Sequence, residues 1–202
     1  MRAVETGLGG VVLRAGGAPF TVAGLRVIGS PDPAALRAGA GDVNTSPEAL
    51  REAGEALLTD YQASNPPPDI VCVHNPRQAE PLQGTASLIL CGHMHTPSVK
   101  EERGTVTCNA GTTGAAGGRY FERPEGVPLS AAILHFSPAK EVRSGPRLLF
   151  IDQVMLQGSL REYSITRRGF SSLPTEVAAP EIPAAPAPSG ALEREKAGGN
   201  TR

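Results

Sequence analysis

Hydrophobic positions along this chain follow two rhythms. Between residues 47 and 62, Leu50, Ala53, Leu57 and Tyr61 recur at three- and four-residue spacing, which places them on one stripe of an α-helix. Ser46 suits the N-cap, Pro47 the first helical position, and Glu48 puts negative charge in the first turn, so the sequence predicts a helix over 47–62. Asn65-Pro66-Pro67-Pro68 ends it.

Elsewhere the rhythm is that of strands. Ile70-Val71-Cys72-Val73 and the run from Ala86 to Cys91 are continuously apolar, as expected of strands covered on both faces. Thr105 to Cys108 and Ala131 to Phe136 repeat that pattern, while Arg147 to Leu156 and Glu162 to Thr166 alternate. Nearer the start, Val11-Val12-Leu13 and Phe20-Thr21-Val22 flank a Gly16-Gly17 turn. Leu25-Arg26-Val27-Ile28 reads as another strand, halted by Gly29-Ser30-Pro31-Asp32-Pro33. A strand-rich chain with one long helix predicts an α/β fold, in the form of half a sandwich.

Composition adds a boundary. From Leu173 onward prolines fall among alanines, and no aromatic residue follows Phe170. Such a segment cannot bury enough apolar surface to offset its ordering entropy, so one domain is expected over residues 1–172 and a disordered tail over 173–202. With 202 residues, 40% hydrophobic and 19% charged, the chain is of the soluble globular class. Its net charge of -1, without clustered Lys and Arg, excludes general nucleic-acid binding as a function class. No apolar run approaches the ~20 residues that span a bilayer, and Met1 to Gly10 has no hydrophobic signal core; a cytoplasmic location is the expectation. Cys72, Cys91 and Cys108 each lie in an apolar run without C-x-x-C spacing, and are expected to be small buried hydrophobes in a reducing compartment.

The chemistry lies in the histidines. His74 follows one predicted buried strand, and His93 and His95 follow another. Ligand sites of α/β sheets collect at the carboxyl ends of strands. In extended backbone the His-x-His pair would face the same way and could grip one metal, or two metals ~3.5–4 Å apart. Gly92 permits a turn before the pair, and Pro97 is expected to stop the strand. His135 sits mid-strand in Ile133-Leu134-His135-Phe136 and reads as a hydrogen-bonded structural residue. The glycine-rich stretch Asn109 to Gly118 has two readings, an anion-holding nest with Arg119 nearby or a plain turn between strands.

Gly92-His93-Met94-His95-Thr96-Pro97 resembles the GHxHxP signature of calcineurin-like metallophosphoesterases. His74 in Val71-Cys72-Val73-His74-Asn75-Pro76 is similar to that family's preceding strand-end histidine, and Asn109-Ala110-Gly111-Thr112-Thr113-Gly114 to its following glycine-rich turn. Gly29-Ser30-Pro31-Asp32-Pro33 resembles an element ahead of the helix in some bacterial members, so the likeness runs from about Leu25 to Thr166. It implies a partial calcineurin-like αββα sandwich and hydrolysis of phosphoester bonds by a divalent-metal-activated water. It further implies Mn, Fe or Zn as cofactor, two ions in a complete member, with His74 and His93 on one metal and His95 on the other. Asn109 and Arg119 would contact the phosphoester substrate.

The family's earlier motifs, Asp-x-His, Gly-Asp-x-x-Asp and Gly-Asn-His-Asp/Glu, are absent, and Gly41-Asp42-Val43-Asn44 only begins like the second. One metal therefore keeps two protein ligands and the other keeps one, against about three for a catalytic site. A truncated start, with a missing N-terminal half, is the favoured expectation; a partner chain and a degenerate relative are the others. The rival functions are a single-zinc hydrolase using all three histidines and a non-catalytic metal-binding or interaction module.

Overall fold

The computed structural model of the protein describes residues 17–33, 45–113, 129–137, 146–157 and 162–170. Helix α1 (Pro47–Ala63) starts where the capping signals put it: Ala49 N–H donates to Ser46 Oγ at 3.2 Å. Its buried stripe is Leu50, Gly54, Leu57 and Tyr61. Gly54 takes the place expected of Ala53 because a Cβ there would overlap the carbonyl oxygen of Gln78. The helix thus lies directly on the 3-10 helix Pro76–Leu82, which sequence periodicity did not show.

A six-stranded sheet has the order β1-β2-β3-β4-β6-β5. Strands β2 (Leu25–Ser30), β3 (Ile70–Val73), β4 (Leu88–Cys91) and β6 (Thr105–Asn109) run parallel, so their carboxyl ends share one edge. The outer strands β1 (Phe20–Val22) and β5 (Ser98–Glu102) are antiparallel to their neighbours. Their hairpins close on Ala23-Gly24 and Arg103-Gly104, both pairs with positive φ, the combination whose twist matches paired strands. A three-stranded antiparallel sheet follows, made of β7 (Leu129–Ser137), β8 (Arg147–Gln157) and β9 (Glu162–Gly169).

The apolar runs feed two cores, which is why they do not alternate with polar residues. Ile28, Val71, Val73 and Ile89 pack with Leu57, Tyr61, Ala79 and Leu82 on the helical side. Val27, Ile70, Leu88, Val106 and Cys108 pack with Leu148, Ile151 and Phe170 between the two sheets. The fold is therefore mixed α/β, layered as helix, six-stranded sheet and three-stranded sheet. No described helix covers the outer face of the small sheet, where Ile133, Tyr163 and Ile165 are exposed. Nor is any described helix long and apolar enough to cross a membrane.

Two expectations are corrected. Pro97 does not end strand structure, since β5 begins at Ser98; its charged sequence, Ser98-Val99-Lys100-Glu101-Glu102, hid a strand that needs only one covered face. Strand β2 runs through Gly29 to Ser30 because those residues pair with Cys72 and Val73. Val11-Val12-Leu13 and the tail 173–202 lie outside the described residues.

Candidate metal centre

The parallel register brings the strand ends together. Cys91 pairs with Asn109 across β4 and β6, and Gly92 N–H donates to the carbonyl of His74 at 3.0 Å, extending the β3–β4 contact past both strands. His74 and His93 meet at this edge, His74 Nε2 and His93 Nδ1 3.4 Å apart. Their rings stand edge to face, with centroids 5.2 Å apart and planes at 83°. Both side chains are exposed, as is His95.

His95 does not join them as extended backbone would require. His93 has φ 68° and His95 φ 53°, so the chain passes twice through left-handed geometry instead of running straight. Met94 N–H donates to the Gly92 carbonyl at 2.8 Å, closing a three-residue γ-turn on His93 of the rare, strained hand. The cause is topological. Six residues, Gly92 to Pro97, must carry the chain from β4 past β6 to β5 while reversing direction. Among the described residues no group of three or more His, Cys, Asp or Glu could hold a metal ion. The structure thus gathers two of the three expected ligands.

Asn109 lies beneath this loop, not on its open side. It is 3% exposed, its Nδ2 donates to the Gly92 carbonyl at 2.6 Å, and its Oδ1 accepts from Gly111 N–H at 2.9 Å. Both ends of the amide are engaged by backbone. Arg119 lies outside the described residues. The glycine turn is structural where it is described. Gly111 has φ 82°, and a Cβ there would overlap Ser130 Oγ, which accepts from Thr112 N–H at 2.9 Å. Ser130 N–H returns a bond to the Thr112 carbonyl at 2.7 Å, tying β6 to β7.

The remaining candidates are accounted for by packing. All three cysteines are free. Burial pushes the thiols of Cys72 and Cys108 up to about 11 and raises that of Cys91. His135 Nε2 lies 3.1 Å from Asp152 Oδ2, and its ring stacks on Phe150 with centroids 4.1 Å apart. Arg167 grips the same carboxylate with two bonds of 2.6 and 2.7 Å, and these hold Asp152 below the usual carboxylate range. Asp152 and Arg167 were not singled out by the sequence; the usable signal was one acid inside the apolar run from Leu148 to Ile151 and Val154.

No protein-family profile and no curated protein matches the chain. Solved structures do. Wild-type Vps29 from Entamoeba histolytica, complexed with zinc, is 16% identical with a TM-score of 0.35. Vps29 from Chaetomium thermophilum is 15% identical with a TM-score of 0.35. Each comparison covers 76% of this chain and 59% of the other, so the chain spans about 59% of the length of the solved structures it matches.

Proposed function

We propose that this chain is a metallophosphoesterase-type hydrolase whose His74 and His93 hold one divalent metal at the carboxyl edge of the parallel strands. The observation that carries the proposal is the 3.4 Å separation of His74 Nε2 and His93 Nδ1. Two nitrogens bound at about 2.0–2.1 Å to a tetrahedral zinc are held about 3.3–3.4 Å apart, whereas N–H hydrogen bonds centre near about 2.9–3.0 Å. The donor set therefore fits a metal better than it fits a mutual hydrogen bond, although it supplies two ligands where a catalytic zinc has about three.

When bound, the metal would polarise a phosphoryl oxygen and lower the pKa of a coordinated water. What the chain itself contributes is placement. The γ-turn aims His93 at His74, and the exposure of both rings leaves the open side to a phosphoester. His95, in its left-handed bend, is assigned by the resemblance to a second metal. The single-zinc reading with all three histidines loses ground because His95 stands outside the pair. A non-catalytic interaction module has one observation in its favour, the outer sheet face with Ile133 50%, Tyr163 72% and Ile165 58% exposed.

Calorimetric zinc titration of the full chain, with turnover of nitrophenyl phosphate in added manganese, separates these readings. His74→Ala and His93→Ala should each weaken zinc binding by about tenfold or more, since each removes one of two nitrogens. Wild-type zinc affinity in His93→Ala would end the metal assignment. Metal binding without turnover favours the non-catalytic module.

A further inference from the structure

We propose that Asn109 is a positioning residue for the metal loop: its buried amide holds the strained turn that presents His93 to His74. The proposal deepens the metal-site reading, and only its affinity measurement depends on that reading.

Burial anchors only the ends of the loop, where Gly92 and Pro97 are half-buried, and not its tip. His93, Met94, His95 and Thr96 are all exposed, Met94 at 59%. The turn at His93 is therefore held by hydrogen bonds, and these converge on Gly92. The Gly92 N–H donates to His74, and the Gly92 carbonyl accepts both from Met94 N–H and from Asn109 Nδ2. The Met94 bond closes the turn. The Asn109 bond comes from outside the loop and fixes the same carbonyl to β6.

Left-handed backbone in a residue with a Cβ persists only where its surroundings over-determine it. Asn109 is such a determinant because it is itself immobilised. Register places it opposite Cys91, its Oδ1 is held by Gly111 N–H, and Gly111 is pressed against Ser130 of β7. The amide cannot swap its ends, since oxygen must face the Gly111 donor and nitrogen the Gly92 acceptor. A line of contacts thus runs from the small sheet through Ser130, Gly111 and Asn109 to Gly92 and His93. Asparagine is the side chain of this size that donates to one backbone group and accepts from another.

Asn109→Asp tests the role because it keeps the acceptor for Gly111 and removes the donor to Gly92. In metal-free full chain, nuclear Overhauser contacts between the His74 and His93 rings are expected in wild type and absent in Asn109→Asp. Zinc affinity should fall about 10–100-fold, as for outer-shell partners of metal ligands, with circular dichroism unchanged. Ring contacts retained in a folded Asn109→Asp variant would overturn the proposal, as would zinc affinity kept within about twofold. If wild type binds no zinc, the metal reading fails while the ring contacts still decide the role of Asn109. Should Asn109→Asp not fold, exchange of the wild-type Asn109 side-chain amide decides. One slowly exchanging proton supports the clamp, and exchange as fast as that of an exposed asparagine refutes it.

Discussion

Replacing His93 by glycine should leave the protein more stable than replacing it by alanine, the reverse of the usual order. His93 is exposed and has φ 68°. Losing its imidazole removes no buried contact, so backbone energetics decide the comparison. A left-handed residue with a Cβ costs about 1–2 kcal/mol, which His93→Ala retains and His93→Gly relieves. Against that, glycine loses more chain entropy on folding, about 0.5–1 kcal/mol relative to alanine. The difference favours glycine by about 0.5–1 kcal/mol, which corresponds to about 1–4 °C in Tm for a chain of this size. Urea unfolding of the two variants measures it, with Ala56→Gly as the control. Ala56 is exposed in the middle of α1, so glycine there should destabilise by about 1 kcal/mol. A sign inversion between the two sites is the expected result, together with equal loss of zinc binding in both His93 variants. If His93→Ala proves at least as stable as His93→Gly, the left-handed turn does not exist in solution. The placement of His93 against His74 would then fall with it.

Two predictions concern pH. Arg167 holds the Asp152 carboxyl below its ordinary value, so the group contributes stability above about pH 3.9 that disappears as pH falls through the lowered value. Arg167→Gln should raise the Asp152 titration in carboxyl NMR, and an unchanged titration would contradict the assignment. Cys72 and Cys108 are shifted the other way, up to about 11. They favour the folded state fully below about pH 8.5, and that contribution is lost as pH rises toward about 11. At pH 8 roughly one in a thousand of these thiols is ionised, so iodoacetamide should modify the buried Cys108 only on unfolding; prompt labelling of Cys108 in native protein would refute its burial.

How much of this was legible follows from what each residue answers to. Leu50, Leu57 and Tyr61 declared the helix because burial alone selects them. Gly54 did not, since its reason is a carbonyl of the 3-10 helix that approaches from elsewhere in the chain. The paired apolar runs declared the parallel strands, while β5 was missed because an edge strand carries Lys100, Glu101 and Glu102 without penalty. The histidines were found by type and spacing and correctly placed at strand ends. Their mutual geometry was not legible, because the same-face rule for i and i+2 assumes extended backbone. The reversal from β4 to β5 forbids that here, which is why His93 reached His74 and His95 did not.

The site also divides its labour in a way that explains which residues a motif reveals. His74, His93 and His95 are exposed and can be recognised by chemistry, but nothing about an exposed side chain fixes where it points. Two buried polar residues stand close by: Asn109, 3% exposed under the loop, and Asn75, 8% exposed, which accepts from Arg77 N–H at 3.0 Å and caps the 3-10 helix after His74. A buried polar side chain is costly unless its bonds are made, so each survives in the core only because backbone groups meet it there. Both asparagines stand where an apolar run gives way to a strand end, Asn75 after Val73-His74 and Asn109 after Val106-Thr107-Cys108. In the proposed role Asn109 meets that cost by bonding Gly111 N–H and the Gly92 carbonyl at once, so losing its amide nitrogen should release the turn at His93.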